Sequence, residues 1–206
     1  MTEPDTRNDT IWQAVADERA TLVELLRDLP ESAWDTASLC EGWRIRDVVA
    51  HLVLATRVTV AALLVNLIRA RGNTDRLIHD TAVRHADRTP TAELLAELRA
   101  TIDSRVIPIG TTPIDRLMDL LVHGQDIAVP LGIERVMPTT TAQLSLDRVW
   151  TMGAPFHAQS RLAGYSLRTT DTSWAVGTGT PITGTAAELL MVVTGRTSPE
   201  DRVDRR

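Results

Sequence analysis

Asp119, His123 and Asp126 stand at i, i+4 and i+7 in Arg116-Leu-Met-Asp119-Leu-Leu-Val-His123-Gly-Gln-Asp126-Ile-Ala. On a helix all three project from one face. That face otherwise belongs to a core, because Leu120, Leu121, Val122 and Ile127 leave little of the segment polar. A carboxylate and an imidazole one turn apart form half of a divalent-metal site, as in the paired helical ligands of zinc enzymes. A further ligand must come from another element. His51, in Asp47-Val-Val-Ala-His51-Leu-Val-Leu, is the candidate, a polar residue inside an apolar helical run. Each feature has an ordinary reading. A histidine on an apolar face is commonly a satisfied core residue, and an Asp–His pair at i, i+4 is common helix chemistry. Together they ask for more, since groups of this kind are costly to bury without partners.

Two helices must position these residues. The first runs from about Arg44 to Ala70, with Asp47 in its first turn suited to the positive helix end and Gly72-Asn73 as its stop. It is apolar nearly all round and so belongs inside a bundle. The second opens at Thr112-Pro113, a cap followed by proline at the first helical position, and closes at Pro130-Leu-Gly132. Around them the spacing predicts a helix from a Thr10/Gln13 capping box to residue 29, and a loop at 31–42 with Trp34 and Cys40. It predicts a short helix or ordered loop over 73–89, and helices from Thr89-Pro90 through Val106 and over 139–153. After Pro155 the texture changes. Leu162–Thr170 and Ser173–Val176 read as strands with a turn at Asp171, residues 181–183 as a third strand, and 185–194 as a closing helix. The expectation is a mainly α chain with a helical bundle over 1–156 and a small α+β segment over 157–206.

Composition bounds the function. The 206 residues include 43% hydrophobic ones but one Phe, one Tyr and five Trp, so the core is aliphatic. With a net charge of -5 and no basic block except the tail, a nucleic-acid partner is not expected. Cys40 is the single cysteine, which excludes an intramolecular disulfide and a cysteine-rich zinc site. No His neighbours it in sequence, and it reads as a small buried apolar residue. The N-terminal residues do not form a signal peptide, and the most apolar run, 58–68, is too short to span a bilayer. A cytoplasmic protein without a membrane partner is expected. Apolar faces of bundles also pair, which leaves a homodimer open.

Three stretches carry a family resemblance. Ser38-Leu-Cys-Glu-Gly-Trp43-Arg-Ile-Arg-Asp47-Val-Val-Ala-His51-Leu resembles the Cys-x-Gly-Trp…Asp-Val-x-x-His-Leu signature of the mycothiol-dependent maleylpyruvate isomerase family. Leu121-Val-His123-Gly-Gln-Asp126-Ile-Ala-Val-Pro-Leu-Gly132 resembles that family's His-Gly-Trp-Asp stretch. Asp171–Gly179 followed by Leu189–Arg196 resembles its C-terminal segment. The resemblance implies a DinB-like four-helix bundle holding a divalent metal, usually zinc. Position by position, the implied ligands are His51, Asp119 and His123, the set already selected from the residues. It also implies mycothiol as thiol cosubstrate and a small electrophile as substrate, with S-transfer or cis–trans isomerisation as the reaction. Asp119 stands where the family has Glu, Arg44 where it has Thr or Ser, and Gln125 where it has Trp.

Other residues have competing readings. Asp126 either accepts a hydrogen bond from a ligand histidine or pairs with an arginine such as Arg116 or Arg46. Asp47 caps its own helix. Trp43 and Gln125 are candidates for cofactor contact, Trp43 also for a structural plug. His79 and His85 read as solvated surface residues, though one near a cleft would reach substrate. Arg161 is a candidate anion ligand. The alternative to an enzyme is a non-catalytic bundle that binds a metal or small ligand, or one in which Asp119 and His123 form a plain ion pair.

Overall fold

The computed structural model describes residues 3–57, 74–108 and 110–202. The second half of the helix expected over 44–70, its stop at Gly72-Asn73 and the apolar run 58–68 lie outside the described residues. The chain is mainly helical, with a three-stranded sheet near the C-terminus. It divides into two compact units, residues 1–116 with 123–135, and 117–122 with 136–206. The helix Thr139–Thr151 groups with the C-terminal residues in this division.

In the first unit, α1 spans Glu3–Arg27, α2 Ile45–Leu54, α3 Thr74–Ala86 and α4 Thr91–Arg99. A helical stripe on α1, formed by Ile11, Val15, Leu22, Val23 and Leu26, is buried, and α1 packs on α4. The central helix is α2, which packs on α3 and α4 and buries Ile45, Val48, Val49, Leu52 and Val53.

Three local expectations need correction. The first helix starts at Glu3, not Thr10. Thr10 Oγ1 donates to the Thr6 carbonyl and Gln13 bonds Asp17, so no capping box forms there. Pro4 sits in the first turn, where its missing N–H costs no helical bond. The helix expected to reach Val106 ends at Arg99, because buried Arg19 gathers the carbonyls that follow. Its Nη1 donates to Thr101 O and Ser104 O at 2.7 Å each and to Ile102 O at 3.3 Å. His85 is only partly exposed and is engaged by a partner: its Nε2 lies 2.7 Å from Glu97 on α4. Arg44, which lacks the hydroxyl preferred at a helix start, is nevertheless the N-cap of α2. Asp47 reaches back to accept from Arg44 N at 2.8 Å and Nε at 2.9 Å, which is the capping role expected of it.

In the second unit, α6 (Thr139–Thr151) packs on α8 (Ala186–Val193), with the short α7 (Ala158–Arg161) beside α6. β1 (Tyr165–Thr169) is the central strand, antiparallel to β2 (Ala175–Gly177) and parallel to β3 (Thr180–Gly184). To place β3 beside β1, the chain crosses the start of β1 through Gly179. Its φ of 123° and its close approach to the Gly164 carbonyl leave no room for a Cβ. Thr185 and Glu188 form a capping box at α8. Arg161 closes the other end of that helix, donating to Val192 O and Val193 O, so it serves as a helix cap.

Candidate metal centre

Helix α5 spans Pro113–Ala128 and contributes to both units. Its start is held as the sequence predicts. Pro113 occupies the first turn, and Asp115 Oδ2 accepts from Thr112 N and Oγ1 at 2.8 Å each. The i, i+4 spacing brings Asp119 and His123 to the same side as His51 from α2. One donor atom from each of His51, Asp119 and His123 lies within 4.8 Å of the others. A tetrahedral ion bound at ordinary N and O distances holds its donors about 3.4 Å apart, so small side-chain adjustments fit this set to a divalent metal. The rings of His51 and His123 meet edge-on, with centroids 5.0 Å apart.

Behind His123 stands Asp126, which is fully buried. Its Oδ2 lies 2.8 Å from His123 Nδ1. An ionised carboxylate only accepts, so Nδ1 carries the proton and Nε2 keeps the lone pair a metal needs. Of the two readings weighed for Asp126, the histidine partner is therefore present. Arg46 instead pairs with Glu31 and Asp35.

The loop between residues 36 and 44 is folded tightly over this helix. Ser38 N and Oγ both donate to the Trp43 carbonyl at 2.9 Å, Trp43 N donates to Cys40 O, and Gly42 takes a φ of 77° that favours glycine. Leu39 N reaches the Asp126 carbonyl at 3.2 Å. This closure delivers two residues to the imidazoles. Cys40, only half-buried, donates its S–H to Asp126 Oδ2 at 3.0 Å and lies 3.7 Å from His123 Nδ1. The reading of Cys40 as an inert buried residue is thus corrected, because its histidine comes from 83 positions along the chain. Trp43 is buried, with its ring centroid 5.3 Å from His51, 6.1 Å from His123 and 6.2 Å from His79. Its indole N–H has no partner among the described residues, and a buried donor left in that state calls for an acceptor.

His79 stands at the edge of this group rather than apart from it. It is half exposed, and its Nδ1 lies 3.3 Å from Asp80, whose carboxyl this bond holds below the usual range. A Trp two residues before α2 was the available signal for the group, and His79 was read mainly as a surface residue. Gln125 is buried, and its amide donates to the Arg135 carbonyl at 2.7 Å. The positions of Arg135 and Gln125 are linked further by Gly124, where an added Cβ would lie 2.7 Å from Arg135 Nη1. No helix among the described residues is long and apolar enough to cross a membrane.

Comparison with known proteins was made on sequence and on fold. Residues 15–107 match the family model "Mycothiol maleylpyruvate isomerase N-terminal domain". No curated protein gave a sequence match. A crystal structure of a mycothiol-dependent maleylpyruvate isomerase superposes with a TM-score of 0.65 at 15% identity, covering 95% of this chain and 91% of that one. A histidine-to-alanine variant of that isomerase gives 0.63 at 14% identity with the same coverage. The family resemblance read from the sequence is thus matched over residues 15–107, and the chain has the fold of that isomerase.

Proposed function

We propose that this protein is a metal-dependent thiol enzyme. His51, Asp119 and His123 hold a divalent ion, zinc by the nature of the donors, and the cosubstrate is a low-molecular-weight thiol, mycothiol. The observation that carries the reading is the convergence of three donor atoms within 4.8 Å from two separate helices. Two imidazoles and one carboxylate suit zinc and leave a coordination position for a thiol. When bound, such an ion lowers the pKa of a thiol so that the thiolate prevails near neutral pH.

The chain's own residues then have defined tasks. Asp126 keeps the His123 Nδ1 proton in place and the ring oriented. The Trp43 N–H is a buried donor next to the imidazoles, available to a carbonyl or carboxylate oxygen of a bound molecule. The substrate class is a small electrophile that a thiolate adds to, giving S-transfer or cis–trans isomerisation. Asp119 is one methylene shorter than the Glu of the family pattern, which draws the ion toward α5. The Trp43→Phe variant tests the donor role. It keeps a ring and loses the N–H, so KM for the electrophile should rise with metal content unchanged. An unchanged KM would contradict it.

The test of the whole reading is thiol consumption by the metal-loaded protein with mycothiol and a panel of maleyl-type and other small electrophiles. Turnover that disappears in the His51→Ala variant supports the proposal. Tight, stoichiometric metal with no thiol-dependent turnover would favour a binding protein.

A further inference from the structure

The donor set around His123 is double. Besides His51 and Asp119, a second group formed by Cys40, His123 and Asp126 also has one donor atom each within 4.8 Å of one another. Its contacts are 3.0 Å from Cys40 Sγ to Asp126 Oδ2, 2.8 Å from Asp126 Oδ2 to His123 Nδ1, and 3.7 Å from Cys40 Sγ to His123 Nδ1. Two of these edges are shorter than the roughly 3.4–3.6 Å that a tetrahedral ion imposes on S, N and O donors. They are hydrogen-bond lengths, and protons occupy the space a cation would take. Opening the triangle by about half an ångström is within the reach of side-chain rotation, because Cys40 lies on a loop and is only half-buried. The site is also built rather than incidental, since the carboxylate is fully buried and the loop is pinned to it through Leu39 N.

We propose that Cys40, His123 and Asp126 form a second cation site, selective for soft, thiolate-seeking metal ions, that competes with the His51–Asp119–His123 set for their common histidine. Softness follows from the sulfur: a thiolate with one imidazole and one carboxylate selects a thiophilic ion over a hard one. Competition follows from the tautomer. The first set uses Nε2 while Asp126 holds the proton on Nδ1, and the second uses Nδ1. On binding, the Cys40 thiol releases its proton to solvent as the S–metal bond forms, and the Nδ1 proton moves to Nε2. Nothing is oxidised, and the nitrogen the first set needs then carries a proton in place of a lone pair. The site itself is independent of the enzymatic reading above; only the competition rests on it.

Cadmium is the probe. Because Cys40 is the one cysteine of the chain, any thiolate-to-cadmium charge-transfer absorption reports it alone. Metal-free full-length protein is titrated with Cd²⁺ as wild type, Cys40→Ser, Asp126→Asn and His51→Ala, with far-ultraviolet circular dichroism confirming the fold of each. The band should develop to one equivalent in wild type and persist in His51→Ala. It should vanish in Cys40→Ser and need about tenfold more cadmium, or beyond, in Asp126→Asn. Cadmium that binds wild type without the band, or a band indifferent to Asp126→Asn, overturns the site while leaving the proposed enzyme untouched. Zinc preloading should shift the cadmium midpoint upward in wild type and not in His51→Ala. An equal midpoint with and without zinc in wild type overturns the competition. Zinc that binds a His51→Ala, Cys40→Ser double variant as tightly as wild type counts instead against the proposed metal ligands.

Discussion

Asp126 accepts a hydrogen bond from His123 Nδ1 at 2.8 Å while wholly excluded from solvent. The two residues lie three positions apart on one helix, so the helix itself fixes their approach. The same carboxylate oxygen receives the Cys40 thiol, and the same residue's carbonyl receives Leu39 N. Asp126 thereby joins the orientation of an imidazole to the position of a loop. A buried carboxylate in this place is tolerated because donors surround it.

Replacing Asp126 by Asn keeps the shape and removes the charge. The His123 tautomer is then less firmly held, and zinc affinity should fall about 10- to 100-fold. Competition against a chelator of known affinity measures this, with circular dichroism as the check on fold. An unchanged affinity would show that Asp126 serves packing alone.

Gly124→Ala sets two effects against each other. Alanine in a helix interior ordinarily gains about 1 kcal/mol over glycine. Here the new Cβ meets Arg135 Nη1 at 2.7 Å and its Cζ at 2.8 Å. The guanidinium has little freedom to move, because it forms a buried ion pair with Glu18. Displacing it leaves a buried carboxylate poorly paired, a larger penalty than the helix gain. We expect a net loss of about 1–3 kcal/mol in denaturant unfolding. A stabilised variant would mean that Arg135 yields freely.

The pair across α3 and α4 predicts a pH dependence. Burial alone would push the Glu97 carboxyl up, but hydrogen bonds from His85 and Arg57 hold it below its ordinary 4.5. A carboxyl depressed in the folded state contributes stability above the unfolded value, and that contribution disappears as pH falls through the folded value. Stability should therefore decline as pH falls below about 4.5, and part of the decline should be absent in Glu97→Gln. Unfolding midpoints between pH 3 and 7 for both proteins test this; parallel curves would contradict it.

The convergence of His51, Asp119 and His123 was legible where it followed helical spacing. Asp119 and His123 at i, i+4, and His51 in an apolar run, could be selected from periodicity because α2 and α5 keep regular helical geometry there. Thr112-Pro113 marked the start of α5 for the same local reason. Cys40 and Trp43 were not readable in their roles, since their partners depend on how a tight turn over residues 36–44 folds onto a helix more than 80 residues away. The end of α4 was missed for a similar cause. Nothing near Arg99 signals a stop, and the carbonyls beyond it are drawn to Arg19, on α1. The role of Gln125 is equally non-local, because its amide donates to the Arg135 carbonyl.

The most direct test of the central claim is the metal content of protein purified without added metal or chelator, measured beside the His51→Ala variant by elemental analysis. The account predicts about one zinc or similar divalent ion per chain, lost in the variant while the helical signal is kept. Protein that takes up no zinc, nickel or manganese on incubation, or a variant that retains a full equivalent of zinc in the presence of a Cys40→Ser change, would contradict it.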